Sequence, residues 1–255
     1  MDKKPWKNIQ PLQGPIEAKF LRSVYLGESL APFRILEPVT GVIPWNEKAA
    51  QLLDSNGARA RGFSRLAAWL DQAEALWREY GSKTVRFIDQ LDYYGKLSAQ
   101  FPIGSIRVVF AKAGSNPAAA VVRNSEGIVE NALYWLATEQ PQEALFLEAV
   151  LNSETARARA ERYQAMGQWG ARHFDKVMFN LPIPKFDPNV KLHRDLAVSA
   201  ERAERVAAAV PLKEGEHFTR TRKRVRDALR ADGVADEIDK LVERLLEARR
   251  QQIAA

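Results

Sequence analysis

The chain has 255 residues, 46% of them apolar, enough for one large core or two small ones and too many for a disordered chain. A total of 38 Lys and Arg against 32 Asp and Glu leaves a net charge of +6, which favours anionic partners, nucleic acid first and an acidic membrane surface second. The lack of cysteine excludes disulfides, thiolate metal sites and cysteine nucleophiles.

No apolar run reaches the roughly eighteen residues of a membrane span. The opening Met1-Asp-Lys-Lys-Pro-Trp6 lacks the apolar stretch of a signal peptide. A soluble cytoplasmic protein is expected, with no membrane partner.

The first part of the chain is punctuated by prolines at 5, 11, 15, 32, 38 and 44. Ile16 to Leu26 reads as a helix with Ile16, Phe20, Leu21 and Val24 on one face. Arg34 to Pro44 reads as extended segments around a turn, because each proline removes a ladder donor. From Ser64 to Tyr80, Leu66, Trp69, Leu70, Ala73, Leu76 and Trp77 recur at helical steps. Ser64 is the expected N-cap and Gly81 the expected stop.

Beyond Thr84 the period shortens. Val85, Phe87 and Ile88 form one short apolar run. Ile106 to Phe110 and Ala118 to Val122 form two more, joined by Lys112-Ala-Gly-Ser-Asn-Pro117, as in a hairpin with a longer loop. Ile128, Val129 and Leu133 to Leu136 predict a further strand, and a helix from about Gln142 to Leu151 follows Pro141. Leu181 to Pro188, with three prolines, is an extended crossing segment. Leu192, Leu196, Ala203, Val206 and Val210 suit a long helix. After a linker at 211–216 come helices at about 218–231 and 234–250, separated by Asp232-Gly233.

Several chemistries are missing. Adenine-N6 methylation needs a polar-Pro-Pro-aromatic loop, in which a carbonyl accepts from the exocyclic amine and a ring stacks on the flipped base. Asn180-Leu-Pro-Ile183 lacks the second proline and the ring. No glycine-rich loop for S-adenosylmethionine is present. Tyr80-Gly-Ser-Lys-Thr84 echoes the end of a phosphate-binding loop without its upstream glycine. His173, His193 and His217 have no metal-ligand spacing and read as surface or capping residues. No Gly-x-Ser-x-Gly elbow occurs. No catalytic or metal-binding residue is assigned.

DNA-binding candidates lie in five places. The hairpin loop offers Lys112, Ser115 and Asn116, a phosphate or guanine ligand beside an amide able to pair with adenine, and it also reads as an ordinary solvated turn. Lys96 and Gln100 follow Tyr93 and Tyr94, whose rings either join this polar segment or close the core edge. Arg172, His173 and Lys176 follow two glycines, as in a basic loop on phosphate, and Arg123 follows the second hairpin strand. Arg220, Arg222, Lys223, Arg224, Arg226 and Arg230 share one predicted helix with Asp227 as the sole acid among them, and Arg222 and Arg226 are its DNA-facing candidates. Such a run is equally a solvated face.

In their order, these segments resemble the C-terminal target recognition domain of N6-adenine DNA methyltransferases of restriction-modification systems. The resemblance runs from about Trp6 to Val210. It is best in Lys96-Leu-Ser-Ala-Gln-Phe-Pro102, Arg107 to Gly114, Glu143 to Ser153, Arg172 to Pro188 and Leu192 to Ala197. It implies an α+β fold similar to the recognition domains of type I specificity subunits, a mixed twisted sheet with flanking helices and then a spacer helix. Loops from the sheet would enter the major groove of double-stranded DNA. S-adenosylmethionine and the catalytic loop would belong to a methylase domain or subunit outside these residues.

The expected organisation is a mainly helical leading region at 1–82, a mixed-sheet recognition module at 83–190 and a helical spacer with a basic hairpin at 191–255. A different reading takes the apolar stripe Val234, Ile238, Leu241, Val242, Leu245 and Leu246 as the face of a protein-assembly module. The recognition sequence and the oligomeric state are not written in the sequence.

Overall fold

The computed structural model describes residues 6–111, 118–161 and 178–254, the last six without their side chains. In chain order its strands are β1 (Leu21–Tyr25), β2 (Leu30–Ala31), β3 (Arg34–Ile35), β4 (Val39–Val42), β5 (Trp45–Asn46), β6 (Gln51–Leu52), β7 (Ile106–Ala111), β8 (Ala119–Val122), β9 (Ile128–Val129) and β10 (Leu133–Thr138). The α-helices are α1 (Ser55–Ala60), α2 (Ser64–Tyr80), α3 (Phe87–Leu91), α4 (Pro141–Asn152), α5 (Glu154–Glu161), α6 (Lys191–Ala209), α7 (Phe218–Asp232) and α8 (Val234–Ala254). The fold is α+β, with several small sheets. The chain divides into two compact units, Met1–Val24 with Thr40–Ile103 and Tyr25–Val39 with Gly104–Ala255.

The first unit is built on the α1–α2 hairpin. Its core joins Phe20, Leu53, Ala58, Leu66, Ala67 and Leu70. Asp54 caps α1 by accepting from Gly57 N at 2.7 Å. Phe63 holds the N-cap position of α2 and has no oxygen to offer, while Ser64 is the first helical residue. The cap comes instead from Glu17, whose carboxylate accepts from Arg65 N at 3.1 Å and Leu66 N at 2.8 Å. These bonds hold the Glu17 carboxyl below its ordinary value against the opposing effect of burial, the largest single influence.

Besides the N-cap of α2, expected at Ser64, two further expectations fail in this unit. Ile16 to Leu26 is not a helix but a short 3-10 turn, Ala18–Phe20, running into β1. Phe20 O accepts from Ile43 N at 2.8 Å and β1 lies beside β4, so non-local strand pairing takes the backbone groups that a helix would use. Phe87 and Ile88 open the helix α3 rather than a short-period segment, and Arg86 grips Asp89 one turn on with two bonds of 2.7 Å.

The second unit is organised around the antiparallel sheet β10–β7–β8, with Phe110 opposite both Tyr134 and Ala119. Successive residues of the β7–β8 hairpin face two different cores. Val108, Phe110, Ala119 and Val121 join a cluster with helices α4 to α8, while Val109, Ala111, Ala118, Ala120 and Val122 join Tyr25, Leu30, Val129 and Leu133. Both faces are buried, which is why these strands read as continuous apolar runs.

Helix α4 covers the outer edge of β8. Ala119 and Val121 direct their N–H groups to Asn152 and Glu148. Two residues along a strand and four along a helix both span roughly 6 Å, so the two rows stay in register. Arg34 donates to Ala207 O at 2.8 Å and Val210 O at 2.5 Å, a cation on the open carbonyls at the end of α6. Gly233, at φ 86°, ends α7 in the left-handed region and turns the chain into α8. Val234, Ile238, Val242, Leu245 and Leu246 of α8 are buried in this unit's own core, with Leu241 packed against it. The stripe that suggested an assembly face is therefore spent within the chain.

Candidate nucleic-acid interface

The β7 and β8 strands are buried on both sides of the segment that joins them. Ala111 N donates to Ala118 O at 3.0 Å, and all the hairpin residues from Arg107 to Ala111 and from Ala118 to Val122 are buried. The connecting residues that carry Lys112, Ser115 and Asn116 lie outside the described residues, as do Arg172, His173 and Lys176. Their flanks are described: Phe179 is half exposed and packs edge-on against Tyr134 of β10 at 4.9 Å.

The structure places the remaining candidates unequally. Arg123 is fixed by a two-pronged ion pair with Glu204 of α6, at 2.8 and 3.0 Å. Gln100 is buried and donates from Nε2 to Lys96 O at 3.3 Å. Lys96 is exposed, its ammonium 6.0 Å from the centre of the Tyr94 ring.

Helix α7 gives the clearest physical account of a basic run. Arg222 is buried, with Nε donating to Leu30 O at 2.7 Å and Nη2 to Gly27 O at 2.6 Å. Burial, and then the neighbouring Arg226, push its guanidinium down to about 10. Arg226 is half-buried and lowered first by burial, with Glu154 opposing and Arg230 and Arg157 reinforcing the shift. Arg224 binds Glu216 at 2.9 Å and also Pro211 O, Lys223 pairs with Asp227 at 3.0 Å, and Arg230 lies 3.8 Å from Glu154. Arg220 alone of the six is exposed with no side-chain partner among the described residues. The densest positive stretch of the sequence is thus largely committed to holding the second unit together.

The histidines in view are structural. His193 is buried against Phe146 and accepts from Asp187 N through Nδ1 at 3.0 Å, and burial lowers its pKa. His217 caps α7, accepting from Thr219 N. Lys83 of the phosphate-loop echo donates to Arg78 O and Glu79 O, the open carbonyls of α2, rather than facing a ligand. Among the described residues no group of three or more His, Asp and Glu is placed to hold a metal ion, and no helix is long and apolar enough to cross a membrane.

Comparison with known proteins adds a relation of fold. No protein-family model matches the sequence, and no curated protein matches it significantly. Among solved structures, the chain is similar to the type IIL restriction-modification enzyme MmeI in complex with DNA, with a TM-score of 0.58 and 14% identity over 92% of this chain. A second similar structure is the type IIG restriction endonuclease BpuSI, at a TM-score of 0.40 and 13% identity over 92% of this chain. The chain spans 30% of the MmeI chain and 27% of the BpuSI chain. Its fold is similar to that of part of the MmeI restriction-modification enzyme.

Sequence reasoning left one surface feature undecided. Tyr93 and Tyr94 do not close a core edge. They are 47% and 81% exposed, on a turn whose signal in the sequence is Asp92 followed by Gly95.

Proposed function

We propose that this chain is the DNA target-recognition portion of an N6-adenine DNA methyltransferase or restriction-modification enzyme. Methyl transfer from S-adenosylmethionine would take place in a methylase domain or partner subunit outside these residues. The observation that carries the reading is the likeness of fold, over nine-tenths of the chain, to part of a restriction-modification enzyme solved with DNA. The net charge of +6, the ordered sequence segments and the absence of a methyltransferase loop support it.

In this reading Lys112, Ser115 and Asn116, in the segment between β7 and β8, contact base edges, while Arg172, His173 and Lys176 fix the register on phosphates. The test is binding to mixed duplex DNA across a salt series. The logarithm of the affinity should fall linearly with log salt, with a slope of about 0.9 for each phosphate neutralised. Selection from a random pool should then return a preferred site, and Asn116→Ala should flatten preference at one base pair. No binding at low salt would overturn the proposal.

A further inference from the structure

One exposed turn of the first unit is built in a way that packing does not explain. Tyr94 has φ 57° and ψ 28°, the left-handed conformation that a bulky side chain avoids, and Gly95 follows at φ 67°. The turn is held firmly. Asp92 Oδ1 accepts from Leu97 N at 3.0 Å and Ser98 N at 2.9 Å, Asp92 O accepts from Gly95 N at 2.7 Å, and Ser98 donates to Gly95 O at 3.3 Å.

What it holds out is an aromatic pair. The Tyr93 and Tyr94 rings meet edge-on at 4.4 Å, and Tyr94 is the most exposed of the large hydrophobic residues described. Lys96 stands beside them. Backbone strain at a ring that buries little surface is a cost without a folding return, and such strain persists where function uses it.

The chemistry presented is two amphipathic rings and a cation. On duplex DNA, where the base faces are already stacked, a tyrosine ring and hydroxyl meet the sugar–phosphate backbone whatever the base, and an ammonium neutralises a phosphate. Both acids beside the turn are engaged: Asp89 is paired with Arg86, and Asp92 accepts from two backbone N–H groups. We propose that the Tyr93–Lys96 turn is a second DNA-contact element, with the Tyr94 ring and hydroxyl against the sugar–phosphate backbone and Lys96 on a phosphate. It rests on the reading of the chain as a DNA-recognition protein and adds a contact outside the hairpin.

Tyr94→Gly separates function from folding, since glycine adopts this backbone freely. The full chain, Tyr94→Gly and Lys96→Met are compared for thermal midpoint and for affinity to one duplex across a salt series. Tyr94→Gly should keep or raise the midpoint while losing about tenfold in affinity, the order of a lost hydrogen bond to a charged backbone group. Lys96→Met should lower the salt slope by about 0.9 with the midpoint unchanged. Wild-type affinity and slope in both variants would overturn the tip and leave the DNA reading standing, and would point to a protein partner for the rings. A loss of affinity seen only with a lowered midpoint would also overturn it. Absence of wild-type binding at low salt would remove both proposals together.

Discussion

Asn152 pairs with Ala119 as a neighbouring strand would: its Oδ1 accepts from Ala119 N at 3.0 Å and its Nδ2 donates to Ala119 O at 2.9 Å. The side chain of a helix thereby closes the edge of a sheet that would otherwise be an open template. Asn152→Leu keeps the size and removes both bonds. It should cost about 1–3 kcal/mol in chemical denaturation, because Ala119 N loses its buried acceptor while Ala119 O keeps the Phe33 N donor at 3.0 Å. A loss below about 0.5 kcal/mol would show that the edge is satisfied in another way.

Glu148, one turn before Asn152, is fully buried, and its Oε1 accepts from Val121 N at 3.0 Å. Burial first and the charge of Glu204 second raise its pKa well above the ordinary 4.5, against an opposing pull from Arg123. A carboxyl raised by folding takes up a proton on folding. Its stabilising contribution is complete below pH 4.5 and is lost as pH rises from there through the raised value. Glu148→Gln keeps the acceptor and cannot ionise. It should therefore be more stable than the wild type at pH about 8, with the difference shrinking as pH falls towards the ordinary carboxyl range. Equal denaturation midpoints at every pH would refute the assignment.

Arg222 tests the view that the basic helix is mainly structural. Arg222→Ala leaves Leu30 O and Gly27 O without their donor and opens a void in a packed site. A stability loss of about 2–4 kcal/mol is expected. The folded variant should bind DNA with the wild-type salt slope, since no phosphate contact is removed. A shallower slope at unchanged stability would return Arg222 to the interface.

His193 predicts behaviour on the acid side. Burial lowers its pKa below 6.5, and its neutral ring accepts from Asp187 N. The contribution is fully present above the ordinary value and is lost as pH falls through the lowered one, at no more than about 1.4 kcal/mol per pH unit. Denaturation midpoints of wild type and His193→Asn, measured from neutral to mildly acidic pH, should diverge at neutral pH and converge on acidification. Parallel curves would exclude the histidine as the source.

Local chemistry made much of the fold legible. The apolar periodicity of α2, α6 and α8, the Gly81 and Gly233 stops and the two apolar runs of the β7–β8 hairpin are properties of neighbouring residues, and they read correctly from the chain. The short segments did not: non-local strand pairing overrode the helical face of Ile16 to Leu26, while the local Arg86–Asp89 bonds support a helix at Phe87 to Leu91. The same limit applies to the side chains of the candidate site.

Nothing near Arg222 in sequence distinguishes it from Arg220, yet one is buried and the other exposed. Its partner Leu30 lies 192 positions away, and only the tertiary structure brings that carbonyl to the helix. Glu17 caps a helix that begins 47 residues later, and Glu148 becomes a buried acid only because β8 lies against it. By itself the sequence determined the long helices, the β7–β8 hairpin, the net charge and the missing methyltransferase loop. The tertiary structure decided which cations hold the protein together and which face solvent, because burial depends on distant residues meeting in space.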